Sequence, residues 1–419
     1  MLSGAPAKLA HHPGTLRSVD DAAIHERRSD VPIAIALVLS LLLYANVRAP
    51  VPAVNEPYYL TKARHFIDPG WLKRDFYLAS TDVHCVFFGV AGSLTQWLSF
   101  EQTTWLLRTA AWALLSVGWL SLARHLPVGR FGPVTALWLF LLMGVVGNFS
   151  GEWIVGGVEG KVFAYGLVFL SMSSVVGQRW LAAGLFGGIA VSCHPVVGCW
   201  HLVALVCASS LLPSGRPKSP RDRYGAVCLF AVSSLPGLIP AVQLIPWVTG
   251  ADGTGSAAEQ IQVYDRLAHH LDPTSIRPFA WVWYGLMSCV LMFVRRGTSR
   301  SKAEEWLFRY CLATTGIAAM GIVVGTTDIV PLVTGGAVTS AKLLKFYPSR
   351  LFDVMLPLLT AMTLTCRLNA TYSSPPSEAR PSRVRPHIVI APVLVSTLWL
   401  SSQASDRQPG YRQPDLRAA

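Results

Sequence analysis

The sequence predicts an all-α, polytopic transmembrane helical bundle of about eleven spans, each needing roughly 20 mainly apolar residues to cross the hydrocarbon core. Three observations carry that prediction. Only 14% of the 419 residues are charged, against roughly 25% in soluble globular domains. Hydrophobic residues make up 52% of the chain, and its mean hydropathy is +0.42. Long apolar runs recur along the whole length, as in Val31–Val47, Thr109–Ala123, Phe131–Phe149, Val162–Gly177 and Gly225–Val248. These runs are too long for strands of a soluble core and lack the alternation of a membrane barrel. Helices remain, because a bilayer leaves backbone groups satisfied only in helices or closed barrels.

Residues 1–30 are polar and mixed in charge and read as a disordered cytoplasmic tail. Residues 31–402 form a single transmembrane helical domain. The first span, near Val31–Val47, delivers 49–100 to the outer face as a long first loop with surface or re-entrant helices. The segment His84–Phe100 is apolar but broken by Gly89, Gly92 and Ser93. If it spanned, the basic loops Arg124–Arg130, Arg179, Arg216–Arg223 and Arg295–Lys302 would all lie outside. If it re-enters or lies on the surface, all lie inside, and the excess of Lys and Arg in cytoplasmic loops selects this arrangement. The later spans then fall near 103–123, 131–150, 161–178, 180–194, 196–212, 225–248, 279–294, 305–325, 346–366 and 386–402. Residues 403–419 are a polar tail. No internal repeat of the transporter kind is visible.

The formal net charge of +12 would suit a nucleic-acid binder only if the basic residues formed one patch. They sit instead in short clusters between spans, so no nucleic acid is expected. The eight cysteines show no CxxC spacing. Cys193, Cys199, Cys207, Cys228 and Cys289 lie in apolar runs and read as small buried hydrophobes, not as a disulfide frame or a zinc site. Neither a metal nor a cofactor is expected.

The unusual chemistry lies in the predicted outer loops. In VNEPYYLTKARHFIDPG, Asn55 or Glu56 can cap a surface helix with Pro57 in its first turn, and Asp68-Pro69-Gly70 ends it. Lys62 and Arg64 can reach headgroups from it. Glu56 supports two readings: a general base toward a hydroxyl nucleophile, or a helix cap that complements the dipole. Tyr58 and Tyr59 can stack on a sugar ring. In GEWIVGGVEGKVFAYG, Glu152 and Glu159 flank a glycine-rich turn and Lys161 opens the next span; a cavity-facing set and a Glu159–Lys161 interfacial pair both fit. His194-Pro195 breaks an apolar run and turns the chain. In SAKLLKFYPSRLFDVMLP, Lys342, Lys345 and Arg350 approach a span from outside and suit a phosphate. Asp353, one turn from Arg350, offers it a buried partner instead.

These segments resemble a known superfamily. VNEPYYL just after the first span, a surface helix ending in DPGWL, the helix-forming HCVFFGVAGSL and a span ending in LAR are similar to the first third of GT-C glycosyltransferases. VNEPYYLTKARHFIDPGWLKRDFYL, GGVEGKVFAYGLVFLS, SCHPVVGCW and KFYPSRLFDVMLP, over Ala53–Pro357, more closely resemble an uncharacterised bacterial membrane family, a domain of unknown function. The GT-C resemblance implies a transferase of the bacterial inner membrane, with its active site toward the periplasm. The donor would be a polyprenyl-phosphate sugar, the acceptor a cell-envelope glycan, lipid or protein, and Glu56 the catalytic carboxylate. Tyr58, Tyr59, Glu159, Lys161, His194, Lys345 and Arg350 would bind substrate. The chain departs from the family pattern at Asn55, where relatives often carry a second acid, which weakens any case for a metal.

Alternative functions remain open at this level. A polysaccharide polymerase or ligase using the same lipid carriers would want a long basic outer loop, and Thr249–Pro278, with Arg266, His269, His270 and Arg277, is one. A transporter or flippase would want mid-span charges and repeat symmetry. A non-catalytic scaffold would keep the fold alone.

Overall fold

In a computed structural model the described residues are 17–52, 55–81, 83–210, 217, 219–244, 254–296, 300–327, 329–335 and 338–373. Regular structure among them is helical throughout, with no strand. The principal helices are α1 Arg17–Arg48, α2 Glu56–Ile67, α3 Cys85–Thr95, α4 Phe100–Ala123, α5 Gly132–Val146, α6 Gly160–Val176, α7 Trp180–Cys193, α8 Pro195–Ser210 and α9 Pro220–Gln243. After them come α10 Thr254–Gln260, which runs into a π-helical turn Ile261–Arg266, and α11 Ala268–Leu271. The last are α12 Pro278–Val294, α13 Lys302–Thr326, α14 Ile329–Val333, α15 Ser340–Leu344 and α16 Arg350–Ser373. Helix α1 reaches back to Arg17, into the stretch expected to be unstructured. The expected span 386–402 and the tail 403–419 lie outside the described residues.

Five helical stretches are long and apolar enough to cross a membrane: Asp30–Arg48, Phe100–Ala123, Pro220–Gln243, Lys302–Thr326 and Arg350–Thr371. The others expected as spans are apolar but shorter, between 10 and 17 residues. Helix α3 has 11 residues, about 16 Å at 1.5 Å per residue, roughly half a hydrocarbon core.

The ends of these helices explain where the site lies. Capping boxes start α4 (Ser99 with Gln102) and α13 (Ser301 with Glu304), each satisfying two backbone donors. Long-range hydrogen bonds gather the loops at one end of the bundle: Glu56 with Val158, Arg350 with His194, His270 with Ser150, and Trp200 with the Phe346 carbonyl. At the opposite end, Arg124 meets Asp30, Asn369 meets Pro127, and Arg367 caps the end of α12 at Val294. Helix α3 starts beside His194 and is followed by α4 starting beside Trp71, so both flanks of α3 lie at the first end.

Close packing holds this arrangement. A Cβ at Gly92 would lie 2.0 Å from the Ala63 carbonyl, so only glycine lets α3 settle onto α2. A Cβ at Gly118 would lie 2.5 Å from the Gly166 carbonyl, and the same logic joins α4 to α6. Trp112, Trp119, Tyr165 and Phe169 fill the α4–α6 core and are fully buried.

Candidate functional site

The loop Gly147–Glu159 between α5 and α6 is the centre of the site end. It carries no regular structure, so its backbone donors need outside partners. Asp353, on the first turn of α16, supplies them. Its carboxylate accepts from the Phe149 amide, from the Ser150 amide at 2.8 Å and hydroxyl at 2.9 Å, and from the Glu152 amide at 2.9 Å. Tyr284 on α12 donates its hydroxyl to the same group at 2.7 Å. At the loop's far end the Val158 amide donates to Glu56 Oε1 at 2.8 Å, and Asn55 Nδ2 donates to Glu159 Oε1.

Glu152 is thereby aimed into a buried cluster of charges. Its Oε2 lies 3.6 Å from Lys161 Nζ and 3.3 Å from Arg350 Nε. Lys161 also lies 3.5 Å from Glu159 Oε2 and sits 3.9 Å over the Trp153 ring. Arg350 stacks 4.0 Å from the Tyr347 ring and donates Nη1 to His194 Nε2 at 3.0 Å. Because the guanidinium keeps its protons, His194 must accept there as a neutral ring. The His84 ring lies 4.8 Å from that of His194, and Tyr59 lies 5.8 Å from His84. Three polar atoms of the cluster are buried without a hydrogen-bond partner: Glu152 Oε1, His84 Nδ1 and Arg350 Nε. Such atoms are costly in a finished core and common where a ligand completes the set.

The structure reassigns several residues singled out above. Asn55 does not cap α2, since its side chain goes to Glu159. Glu56 is fully buried and takes Arg108 Nε at 2.7 Å and Nη2 at 2.8 Å in a two-pronged pair. Both its oxygens hold α2 to α4 and to the loop, a structural use for the carboxylate expected as the base. Tyr58 is 58% exposed and faces Tyr77, outside the cluster. Lys345 also stays apart, bonded at 2.5 Å to the buried Glu259 of α10. Arg350 and Asp353 do not pair: the carboxylate faces the loop amides while the arginine faces Glu152 and His194. Lys62, expected at headgroups, is buried and donates to the Tyr77 and Ser80 carbonyls. Tyr59, Glu159, Lys161, His194 and Arg350 do converge.

Residues that sequence reasoning missed are His84, Arg108 and the aimed role of Glu152. Arg108 had a signal, as a lone arginine inside the apolar run TWLLRTAAW. His84 had a weaker one, opening an apolar segment. A mainly apolar groove of about 370 Å³ opens between α2 and the start of α4, lined by Val51, Pro57, Leu60, Phe100 and Thr104 together with Glu101. Glu56 forms part of its wall, so groove and charged loop stand back to back.

No protein-family model, curated protein or solved structure matches the chain.

Protonation of the loop histidines follows from their surroundings. Burial pushes His84 down to about 4, with the charges of Arg350, Lys161 and Lys62 adding to it. Burial also holds His194 well below its ordinary value, helped by His84, Arg350 and Lys161. Each ring binds a proton more readily in the unfolded chain. Their contribution to stability is therefore complete above the unfolded value, about 6.5, and is lost as pH falls toward the folded one. The melting midpoint is expected to drop between about pH 7 and pH 4.5. The drop should be shallower for His84→Gln, and an identical slope in that variant would remove His84 as a source.

Proposed function

We propose that the chain is a membrane-embedded, GT-C-like glycosyltransferase that moves a sugar from a polyprenyl-phosphate donor to an acceptor hydroxyl, with Glu152 and not Glu56 as the base. The observation that supports this reading is the set of buried Glu152, Lys161 and His194 with half-buried Arg350 and His84, in which one carboxylate oxygen and one imidazole nitrogen lack hydrogen-bond partners. The remaining spans toward eleven, the cytoplasmic membrane of a bacterium and a periplasm-facing site belong to the same reading.

Charge balance supports the donor class. Lys161 and Arg350 offset Glu152 and Glu159, and both histidines are neutral at ordinary pH. One further negative charge is then tolerated better than two, which suits a phosphodiester. Arg350 and His84 would hold the phosphate oxygens, Tyr59 would flank the sugar, and the apolar groove would take the start of the lipid tail. The acceptor hydroxyl attacks the anomeric carbon as its proton passes to Glu152 Oε1. The bond from that carbon to the phosphate oxygen breaks, and polyprenyl phosphate leaves with the electron pair. One displacement inverts the anomeric centre without a covalent enzyme intermediate.

Proteoliposomes given radiolabelled polyprenyl-phosphate hexoses and an envelope extract as acceptor test this assignment. Glu152→Gln is expected to lower the transfer rate by about 10²–10⁴-fold, the usual cost of losing a general base. Glu152→Gln transferring at the wild-type rate would end the assignment.

A further inference from the structure

The site end carries apolar side chains that no span accounts for. The segment following α2, Trp71–Ser80, has no regular helix, yet it is rigidly tied. The buried amine of Lys62 bonds to the Tyr77 carbonyl at 3.3 Å, the Ser80 carbonyl at 3.1 Å and the Ser80 hydroxyl. Asp75 Oδ1 accepts from the Leu78 amide at 2.9 Å, and Leu78 itself is buried. The segment is thus a built platform, and its tip faces away from the protein: Phe76 is 95% exposed and Leu72 is 53% exposed.

Leu72 has φ 50°, a left-handed conformation that disfavours a leucine and suits glycine. The sequence nevertheless spends a large apolar side chain there. Trp97, in the turn between α3 and α4, is 86% exposed. That turn is joined to the platform's neighbourhood, because Arg64 Nη1 bonds to the Thr95 carbonyl at 2.8 Å and the Trp71 and Phe100 rings meet at 6.0 Å. Lys73 and Arg74 are exposed between the two apolar tips. Apolar tips interleaved with cations match the interface of an anionic leaflet, where aromatic rings sit at headgroup depth and basic side chains meet phosphates.

We propose that the 71–77 loop is a membrane wedge: Leu72 and Phe76 enter the leaflet at the site end, Trp97 lies beside them, and Lys73 and Arg74 hold anionic lipid headgroups. The wedge would fix the depth of the bundle at that surface. It rests on membrane placement of the long helices and is independent of the sugar-transfer reading.

Photocrosslinking tests it with the full chain in nanodiscs. Benzoylphenylalanine at position 76 disturbs no packing, since the native ring is exposed. In nanodiscs of phosphatidylethanolamine and phosphatidylglycerol, the expected result is a lipid adduct at position 76 by mass, at a yield like that from position 232 on the exposed face of α9. Removing the cations (Lys73→Gln with Arg74→Gln) is expected to reduce the preference for phosphatidylglycerol over phosphatidylethanolamine among the adducts, by about fivefold per charge. Absence of a lipid adduct at 76, with 232 labelling normally, would overturn the wedge. So would an adduct at 76 formed only with a soluble protein added to the same discs.

Discussion

Asp353→Ala is expected to destabilise the protein by about 4–5 kcal/mol, at the upper end of single-substitution effects. The reason is local and countable. One carboxylate takes the Phe149, Ser150 and Glu152 amides together with the Ser150 and Tyr284 hydroxyls. Each buried donor left without a partner costs about 1–3 kcal/mol. Some of that is regained as the loop relaxes, so the sum is an upper bound. Asp353→Asn should fall between wild type and Ala, because it keeps one acceptor oxygen but turns an amide group toward the loop donors. Reversible unfolding in mixed micelles measures both. An Ala variant as stable as wild type would mean that the loop does not hang on Asp353.

Arg108→Ala follows, with an expected loss of about 3–5 kcal/mol, the cost of stranding one member of a buried ion pair. Its partner Glu56 is fully buried and would lose the two-pronged guanidinium contact while retaining the Val158 amide. The double change Glu56→Leu with Arg108→Leu should recover much of the loss, since well-packed apolar side chains often replace a buried pair without penalty. The same unfolding measurement separates the two uses of Glu56. A structural Glu56 makes Glu56→Gln less stable. A catalytic Glu56 leaves stability nearly unchanged and removes activity alone.

What the sequence revealed and what it hid have the same physical origin. Helices announce themselves through runs of neighbouring residues, so α4 and α6 were legible to within a few positions, while α16 runs seven residues past its expected end at 366. The gathering of loops at one end was legible too, because alternating spans and basic loops fix which segments share a face. Pairings across the bundle were not. Asp353 and Arg350 are three residues apart and look like partners on a helical wheel, yet Asp353 faces amides some 200 positions away in sequence, as with Ser150. Glu56 sits where a capping residue belongs, but Arg108, 52 positions away in sequence, turns it inward. Lys345 was grouped with Arg350 by proximity in sequence, while Glu259 draws it under a separate small core around Val263 and Leu344. In each case local spacing named the residue and missed its partner, because the partner is supplied by tertiary packing.

The Glu152–Arg350 cluster is proposed above to hold a lipid-linked phosphodiester. Its most direct test is the mass of the lipid that co-purifies with the protein from native membranes. The expected lipid is a polyprenyl-phosphate sugar, or the polyprenyl phosphate it leaves, retained by the wild type. Arg350→Ala should lose it, and Arg350→Lys should retain it more weakly, since the lysine keeps the charge but not the fork that matches phosphate oxygens. Equal retention of that lipid by wild type and a folded Arg350→Ala variant would contradict the claim, as would a wild type that retains only bulk phospholipid.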